Sequence, residues 1–118
     1  MKAYIYCFVR EDISAEQKIV QIGHACYDAG KLIPKSEQTR SPSLILLSAQ
    51  NEDELLLIAK KISCAGISYS AFYEPDCNRL TGKTMGYSAL CTRQVSSLRE
   101  RSFFKEWKLY RQPSVDML

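Results

Sequence analysis

The chain has few of the residues that build common metal sites. Its 118 residues include a single histidine, His24, and five cysteines, and no two cysteines lie at Cys-x-x-Cys spacing. We therefore predict no metal centre, and we expect mostly buried thiols in a reducing compartment. The cysteines are Cys7, Cys26, Cys64, Cys77 and Cys91.

The sequence also lacks the features of membrane and secreted proteins. No stretch approaches the roughly 20 apolar residues of a membrane helix, and the N-terminal MKAYIYCFVR has no small-residue signal cleavage site. We expect a cytoplasmic protein with no membrane partner. The five glycines are scattered, so there is no glycine-rich phosphate loop, and no GxSxG motif is present.

Length and charge set the broad class. A chain of 118 residues that is 46% hydrophobic is typical of one globular domain, here 1–118. Residues 1–82 contain nine basic and ten acidic residues, whereas residues 83–111 contain seven basic and two acidic ones. The basic C-terminal part indicates either a phosphate-facing surface or an ordinary solvated face.

Hydrophobic periodicity predicts four strands and three helices. The predicted strands cover 2–9, 44–48, 67–73 and 84–91, and the helices begin at Ser14, at Asn51 and near residue 97. A polar loop is predicted over 34–42 and a turn-rich connection over 74–82. The order β-α-β-α-β-β-α predicts an α/β fold, with a mixed four-stranded sheet and helices packed on it.

The first predicted helix has two distinct stripes. A capping box, in which Ser14 pairs with Gln17, begins this helix. At about 100° per residue, one stripe is apolar and is predicted to pack on the sheet. It consists of Ile19, Ile22, Cys26, Ala29 and Ile33. The other is polar, and consists of Gln17, Gln21, His24 and Asp28; a solvated face with a His24–Asp28 pair is the simple interpretation.

The residues around this helix also carry a resemblance. The stretch VREDISAEQKIVQIGHA, taken with FYEPDCNRLT, resembles the archaeal/eukaryotic-type (type II) peptidyl-tRNA hydrolase family. The family motif places Arg-x-Asp after a strand, followed by Gly-Lys-x-Ala-Ala-Gln-x-x-His-Ala. Arg10, Asp12, Gln21, His24 and Ala25 match it in type and spacing. The predicted element order also matches the fold of that family.

The chain departs from the motif at the catalytic lysine. Gln17 stands at the lysine position, Lys18 is its neighbour, and Glu16 replaces the usual glycine. The resemblance implies that the family's lysine helps to orient or polarise the ester. Glutamine donates a hydrogen bond but brings no positive charge to a developing oxyanion. Gln17 or Lys18 is therefore the candidate to take the lysine's place.

The connection over 74–82 supplies the other catalytic candidates. The resemblance implies an acid at the end of the third strand and a threonine near the start of the fourth. Asp76 and Thr81 are the preferred pair, with Glu74 and Thr84 as alternatives. The family's Asp-Ala-Gly sequence is absent, and turn formation alone also explains these residue types.

Two functions follow as expectations from the resemblance. One is hydrolysis of the ester between tRNA and a peptide or an N-blocked amino acid, with no metal or organic cofactor. The other is a catalytically inactive protein on the same fold that binds tRNA, another RNA or a protein partner; a homodimer is also compatible with the sequence. The expected substrate-binding residues are Arg10, Gln21, His24, Lys83 and Arg93.

The C-terminal segment RERSFFKEWKLYR combines aromatic and basic residues. This combination suits stacking on bases and contacts with phosphates. A last helix over 97–110, with Phe103, Trp107 and Tyr110 facing the core and a basic outer face, is the structural alternative.

Overall fold

Four strands pair into one mixed sheet, as the spacing predicted. The computed structural model describes residues 2–37 and 41–110. The strands are β1 (Tyr4–Arg10), β2 (Ser43–Ala49), β3 (Tyr69–Cys77) and β4 (Thr84–Thr92). Their order across the sheet is β2-β1-β4-β3; β1 pairs in parallel with β2 and antiparallel with β4, and β3 and β4 form an antiparallel hairpin.

Helices cover both faces of this sheet. They are α1 (Ala15–Gly30), α2 (Glu52–Cys64) and α3 (Leu98–Phe103), with short 3-10 turns at Lys35–Glu37 and Phe104–Glu106. Alternate residues of β1 point to opposite sides. Tyr6 and Phe8 join the core on the α2 side, while Cys7 and Val9 join the core on the α1 side. The result is a three-layer α/β domain.

Helix α2 packs as its periodicity predicted. The buried residues are Leu55, Ile58, Ala59 and Ile62, the four expected to face the sheet. The Asn51 side chain accepts a hydrogen bond from the backbone N–H of Glu54 at 2.9 Å. This cap satisfies one of the free amides at the helix start.

Helix α1 packs on the sheet through a face that only partly overlaps the predicted apolar stripe. The predicted packing of Ile19 on the sheet is wrong, because this side chain is 73% exposed. Ile22, Cys26 and Ala29 pack against the α1-side core as predicted, but the fully buried residues of the helix are Gln21, Ala25 and Ala29. Two alanines let the helix approach closely, and the amide of Gln21 finds polar partners on the hairpin. The polar stripe therefore borders the sheet rather than facing away from it.

The β3–β4 hairpin is longer than predicted. Residues 74–77, which were predicted to lie in the connection, belong to β3. Pro75 lies at an irregularity of this edge strand, where the backbone N–H that proline lacks is not needed for pairing with a neighbouring strand. Asn78 closes the remaining turn: its N–H donates to Lys83 O and its carbonyl accepts from Gly82 N, both at 2.7 Å. Its buried side chain also donates to Asp12 O at 3.0 Å, tying the turn to the segment before α1.

The continuous C-terminal helix predicted over 97–110 is wrong. Helix α3 ends at Phe103, a 3-10 turn follows, and Leu109 then forms a bridge with Leu47 of β2. Phe104 explains the change, because its ring stacks on Tyr6 at 3.9 Å and anchors the turn in the α2-side core. The aromatic residues serve packing, as the structural alternative proposed.

Two predicted segments extend beyond the described residues. The loop over 34–42 includes residues 38–40, and the basic region includes Arg111; both lie outside the described ranges. Among residues 2–37 and 41–110, no helix has the length and hydrophobicity needed to cross a bilayer.

The turn-side half of β4 depends on a glycine. Gly86 has a φ of 75°, and a Cβ at this position would overlap the carboxylate of Glu52, which accepts a hydrogen bond from Tyr87 N at 2.7 Å. We expect Gly86→Ala to lower the free energy of unfolding by about 2–3 kcal/mol, because left-handed strain adds to the loss of this contact. Urea denaturation measures the change.

Gly82→Ala is the matched control. Gly82 has a φ of 76°, but no atom lies within 4 Å of a Cβ built there. We expect this variant to lose only the strain contribution, about 1–2 kcal/mol. Equal losses in the two variants would contradict a role for the Glu52 contact.

Candidate functional site

The polar residues of α1 meet the hairpin in a network centred on Gln21. This side chain is 2% exposed; its Nε2 donates to Glu74 Oε1 at 2.9 Å, and its Oε1 accepts from the hydroxyl of buried Ser88. Pairing both ends of the amide offsets the free-energy cost of burying it. We call Gln17, Gln21, Glu74 and Ser88 the helix–hairpin site.

Gln17 links the start of α1 to the hairpin turn. Its Nε2 donates to Cys77 O at 3.0 Å, and its Oε1 accepts from Arg79 N at 3.1 Å. Its backbone N–H also donates to Ser14 Oγ at 3.2 Å, which confirms the predicted cap. The side-chain amide retains one N–H for a ligand, because an NH₂ group carries two donors.

The acid that reaches the site is Glu74. Glu74 Oε1 accepts from Gln21, and Glu74 Oε2 lies 3.3 Å from the backbone N of Asp76. The Asp76 residue is exposed. Of the two predicted acids, the structure brings Glu74, and not the preferred Asp76, into contact with the polar stripe.

The hydroxyl in the site comes from β4. Ser88 donates to Gln21, whereas Thr81 and Thr84 are exposed on the hairpin. The Thr81 hydroxyl accepts from Lys83 N at 3.3 Å within the turn, and Thr84 opens β4 opposite Cys77. Neither predicted threonine is brought to the Gln21–Glu74 pair.

Lys18 points away from the helix–hairpin site. Its Nζ lies 3.3 Å from the Tyr110 hydroxyl and 5.3 Å from the centre of that ring. Tyr110 N in turn donates to Leu46 O, on the β2 side of the sheet. Gln17 is thus held by the β3–β4 hairpin, whereas the Lys18 ammonium group contacts a residue that is attached to the β2 edge of the sheet.

His24 lies beside the site on the surface of α1. Its ring stacks on Phe72 of β3, with centroids 4.2 Å apart and planes 4° from parallel, and the residue remains exposed. The predicted His24–Asp28 pair is wrong, because the Asp28 carboxylate pairs with Lys31 at 3.6 Å. The outer face of the imidazole is open for stacking with a ligand.

The Arg10 side chain is buried and forms hydrogen bonds within the fold. It is 6% exposed, its Nε and Nη2 each donate to the Asp12 carboxylate at 2.8 Å, and its Nη1 donates to Met85 O and to Tyr87 O. Five guanidinium donors are available, and these contacts use four. The guanidinium fixes the segment that leads from β1 into α1 against β4, and it is not an open phosphate contact.

Exposed basic residues lie at the hairpin end. Arg79 forms a 3.2 Å ion pair with Glu16 on the first turn of α1, with both side chains exposed, and Lys83 is exposed in the turn. An exposed pair of this kind contributes little stability, so a competing phosphate can displace the carboxylate. The backbone N–H of Arg79 donates to Gln17, so this exposed cation lies beside the helix–hairpin site.

Arg93 lies far from the hairpin end. It follows β4, seven residues beyond the Gly86 partner of Glu74, which corresponds to about 23 Å along a strand. Its guanidinium binds Glu100 at 2.8 Å, and this hydrogen bond lowers the pKa of the Glu100 carboxyl. The structure therefore does not bring Arg93 together with the other predicted binding residues.

Sequence reasoning missed two residues that organise this region, Ser88 and Asn78. Ser88 is fully buried in an otherwise apolar part of β4, and a polar residue inside such a run is the signal that could have identified it. Asn78 lies in the predicted turn-rich connection over 74–82, and its side chain also donates to Asp12 O across the fold.

Three cysteines converge on the α1 side of the sheet. The Sγ atoms of Cys7, Cys26 and Cys91 all lie within 4.8 Å of one another. Thiol hydrogen bonds from Cys7 and Cys91 lower the pKa of Cys26, and donating to Cys26 raises the pKa of Cys91. The expectation of mostly buried thiols is wrong in part, because Cys64 and Cys77 are exposed and Cys26 is half-buried.

No protein-family model matches the chain, and no curated protein matches it. The motif residues and their placement in the fold are therefore the basis for the functional proposal.

Proposed function

We propose that this chain adopts a type II peptidyl-tRNA hydrolase-like fold and hydrolyses the ester that joins a peptide or an N-blocked amino acid to tRNA. The observation that carries the proposal is the Gln21–Glu74 hydrogen bond of 2.9 Å. It joins a residue of the family-like helix motif to an acid in the turn-side half of the third strand, and these are the two parts of the sequence on which the resemblance depends.

Glu74 is the acid assigned to the reaction. Each of its oxygens accepts one hydrogen bond from the protein, which leaves lone pairs for a water molecule. Glu74 takes a proton as the water oxygen bonds to the ester carbonyl carbon. The bond from this carbon to the ribose oxygen then breaks, and the proton passes to that oxygen, giving a carboxylic acid and a free tRNA hydroxyl. No metal or organic cofactor is needed.

Gln17 supplies the donor at the lysine position. One of its amide hydrogens binds Cys77 O, and the other is available to the developing oxyanion. A neutral donor stabilises that charge less than an ammonium group does. We therefore expect hydrolysis on the order of 10²-fold slower than with a lysine in the same place.

The hairpin edge and His24 suit the nucleic-acid part of the substrate. Arg79 and Lys83 are exposed cations next to the site, and contacts of this kind with phosphates position a nucleic acid without reading its sequence. One face of the His24 imidazole stacks on Phe72, and a base can stack on the other face.

Replacing the assigned acid tests the mechanism. We expect Glu74→Gln to lower kcat/KM for N-acetylaminoacyl-tRNA by about 10²–10⁴-fold, because the amide cannot take the proton. Asp76→Asn makes the same chemical change on an exposed neighbour and is expected to stay within about threefold of the unsubstituted protein, since an exposed carboxylate with no assigned step contributes little. Single-turnover hydrolysis measures both rates.

Two results would reject this mechanism. The first is that the unsubstituted protein leaves N-acetylaminoacyl-tRNA intact across a broad pH range. The second is that Asp76→Asn, and not Glu74→Gln, abolishes hydrolysis.

A second candidate function is binding of RNA or a protein partner without hydrolysis. The specific observation in its favour is the Lys18–Tyr110 contact of 3.3 Å, which engages the ammonium group of Lys18 outside the helix–hairpin site. A fold can be retained while its site changes task.

Moving the charge distinguishes the candidates. We expect Gln17→Lys to raise the hydrolysis rate on the order of 10²-fold, because it restores an ammonium group near the ester. Lys18→Ala is expected to leave the rate unchanged, as is the control Lys60→Ala, which changes an exposed residue of α2. An inert unsubstituted protein that gains activity with Gln17→Lys supports the binding candidate, whereas loss of activity in Lys18→Ala alone contradicts the assignment of Lys18 to Tyr110.

A further inference from the structure

The fold brings together three cysteines that are far apart in the sequence. Cys7 on β1 and Cys91 on β4 are directly opposite each other in the antiparallel pair. Their side chains point to the α1 side, where Cys26 of α1 packs against the same cluster. All three Sγ atoms lie within 4.8 Å of one another, although the residues are separated by 19 and 65 positions in the chain.

We propose that Cys7, Cys26 and Cys91 form a binding site for a thiophilic divalent cation of the Zn(II) and Cd(II) class. A Zn–S bond is about 2.3 Å long, so three sulfurs around one ion lie about 4 Å apart. None of the three Sγ–Sγ separations exceeds 4.8 Å, so a contraction of at most about 0.8 Å brings each to this value. We call these three residues the thiol site.

The donor set decides the kind of ion. Thiolates favour soft cations over Mg(II) or Ca(II), which take oxygen ligands. Within the described part of the chain, no histidine or carboxylate joins the three sulfurs in the cluster. Three protein ligands and a water molecule complete the four-coordinate shell that Zn(II) prefers. Cys26 is half-buried, so the water enters beside it, while Cys7 and Cys91 are fully buried.

The charge also favours a divalent ion. Binding breaks three S–H bonds, forms three bonds from sulfur to the metal and releases the three protons to solvent. A divalent ion with three thiolates carries a net charge of −1, whereas Cu(I) in the same site would carry −2. The surroundings include Val9, Ala25 and Ala89, and an apolar setting penalises the larger charge more strongly.

Cd(II) titration under reducing conditions tests the site, because thiolate-to-Cd(II) charge transfer absorbs in the ultraviolet. We expect the absorption to saturate at one ion per chain. Cys26→Ser is expected to weaken binding at least 100-fold, since it removes the most accessible ligand. Cys64→Ser and Cys77→Ser, which change exposed cysteines outside the thiol site, are expected to retain full binding.

A second measurement does not depend on whether a variant folds. X-ray absorption of the unsubstituted protein with one equivalent of Zn(II) is expected to show three sulfur neighbours at about 2.3 Å and one lighter atom. The proposal is overturned if Cys26→Ser binds Cd(II) as well as the unsubstituted protein. It is also overturned if Cys64→Ser or Cys77→Ser removes the absorption, or if oxygen and nitrogen dominate the Zn(II) shell.

Discussion

A buried amide must find hydrogen-bond partners, and Gln21 finds them on the hairpin rather than in solvent. Glu74 and Ser88 satisfy its two ends. Leaving either end unpaired would cost about 1–3 kcal/mol, so this requirement fixes the rotation of α1 on the sheet. The same rotation turns Ile19 outward and holds the carboxylate of Glu74 beside the polar residues of the helix.

The charge at the helix–hairpin site depends on which partners the basic side chains of the domain already bind. Arg10 is used inside the fold, Lys18 is bound to Tyr110, and Arg93 is paired with Glu100. Arg79, whose backbone N–H donates to Gln17, and Lys83 are exposed in the hairpin turn. The site therefore combines an acid and neutral amides with a basic rim. The proposed hydrolysis of a polyanionic ester substrate is based on this arrangement.

The sequence predicts local structure here better than contacts between distant segments. Strand alternation and the caps at Ser14 and Asn51 predicted the elements, because these signals act over a few residues. The rotation of α1 was not predictable from apolar spacing, since it depends on partners of Gln21 that lie more than 50 positions away. The thiol site escaped detection for the same reason: neither Cys-x-x-Cys spacing nor any other local pattern marks Cys7.

The arrangement of α1 on the hairpin depends most on the interaction between Gln21 and Glu74. A double-mutant cycle measures the free energy of this interaction directly. Urea denaturation of Gln21→Ala, Glu74→Ala and the double variant gives the coupling free energy between the two side chains. We predict a coupling of about 1 kcal/mol or more, as expected for a hydrogen bond between a buried amide and a carboxylate. Additive losses, with a coupling below about 0.3 kcal/mol, would contradict the account.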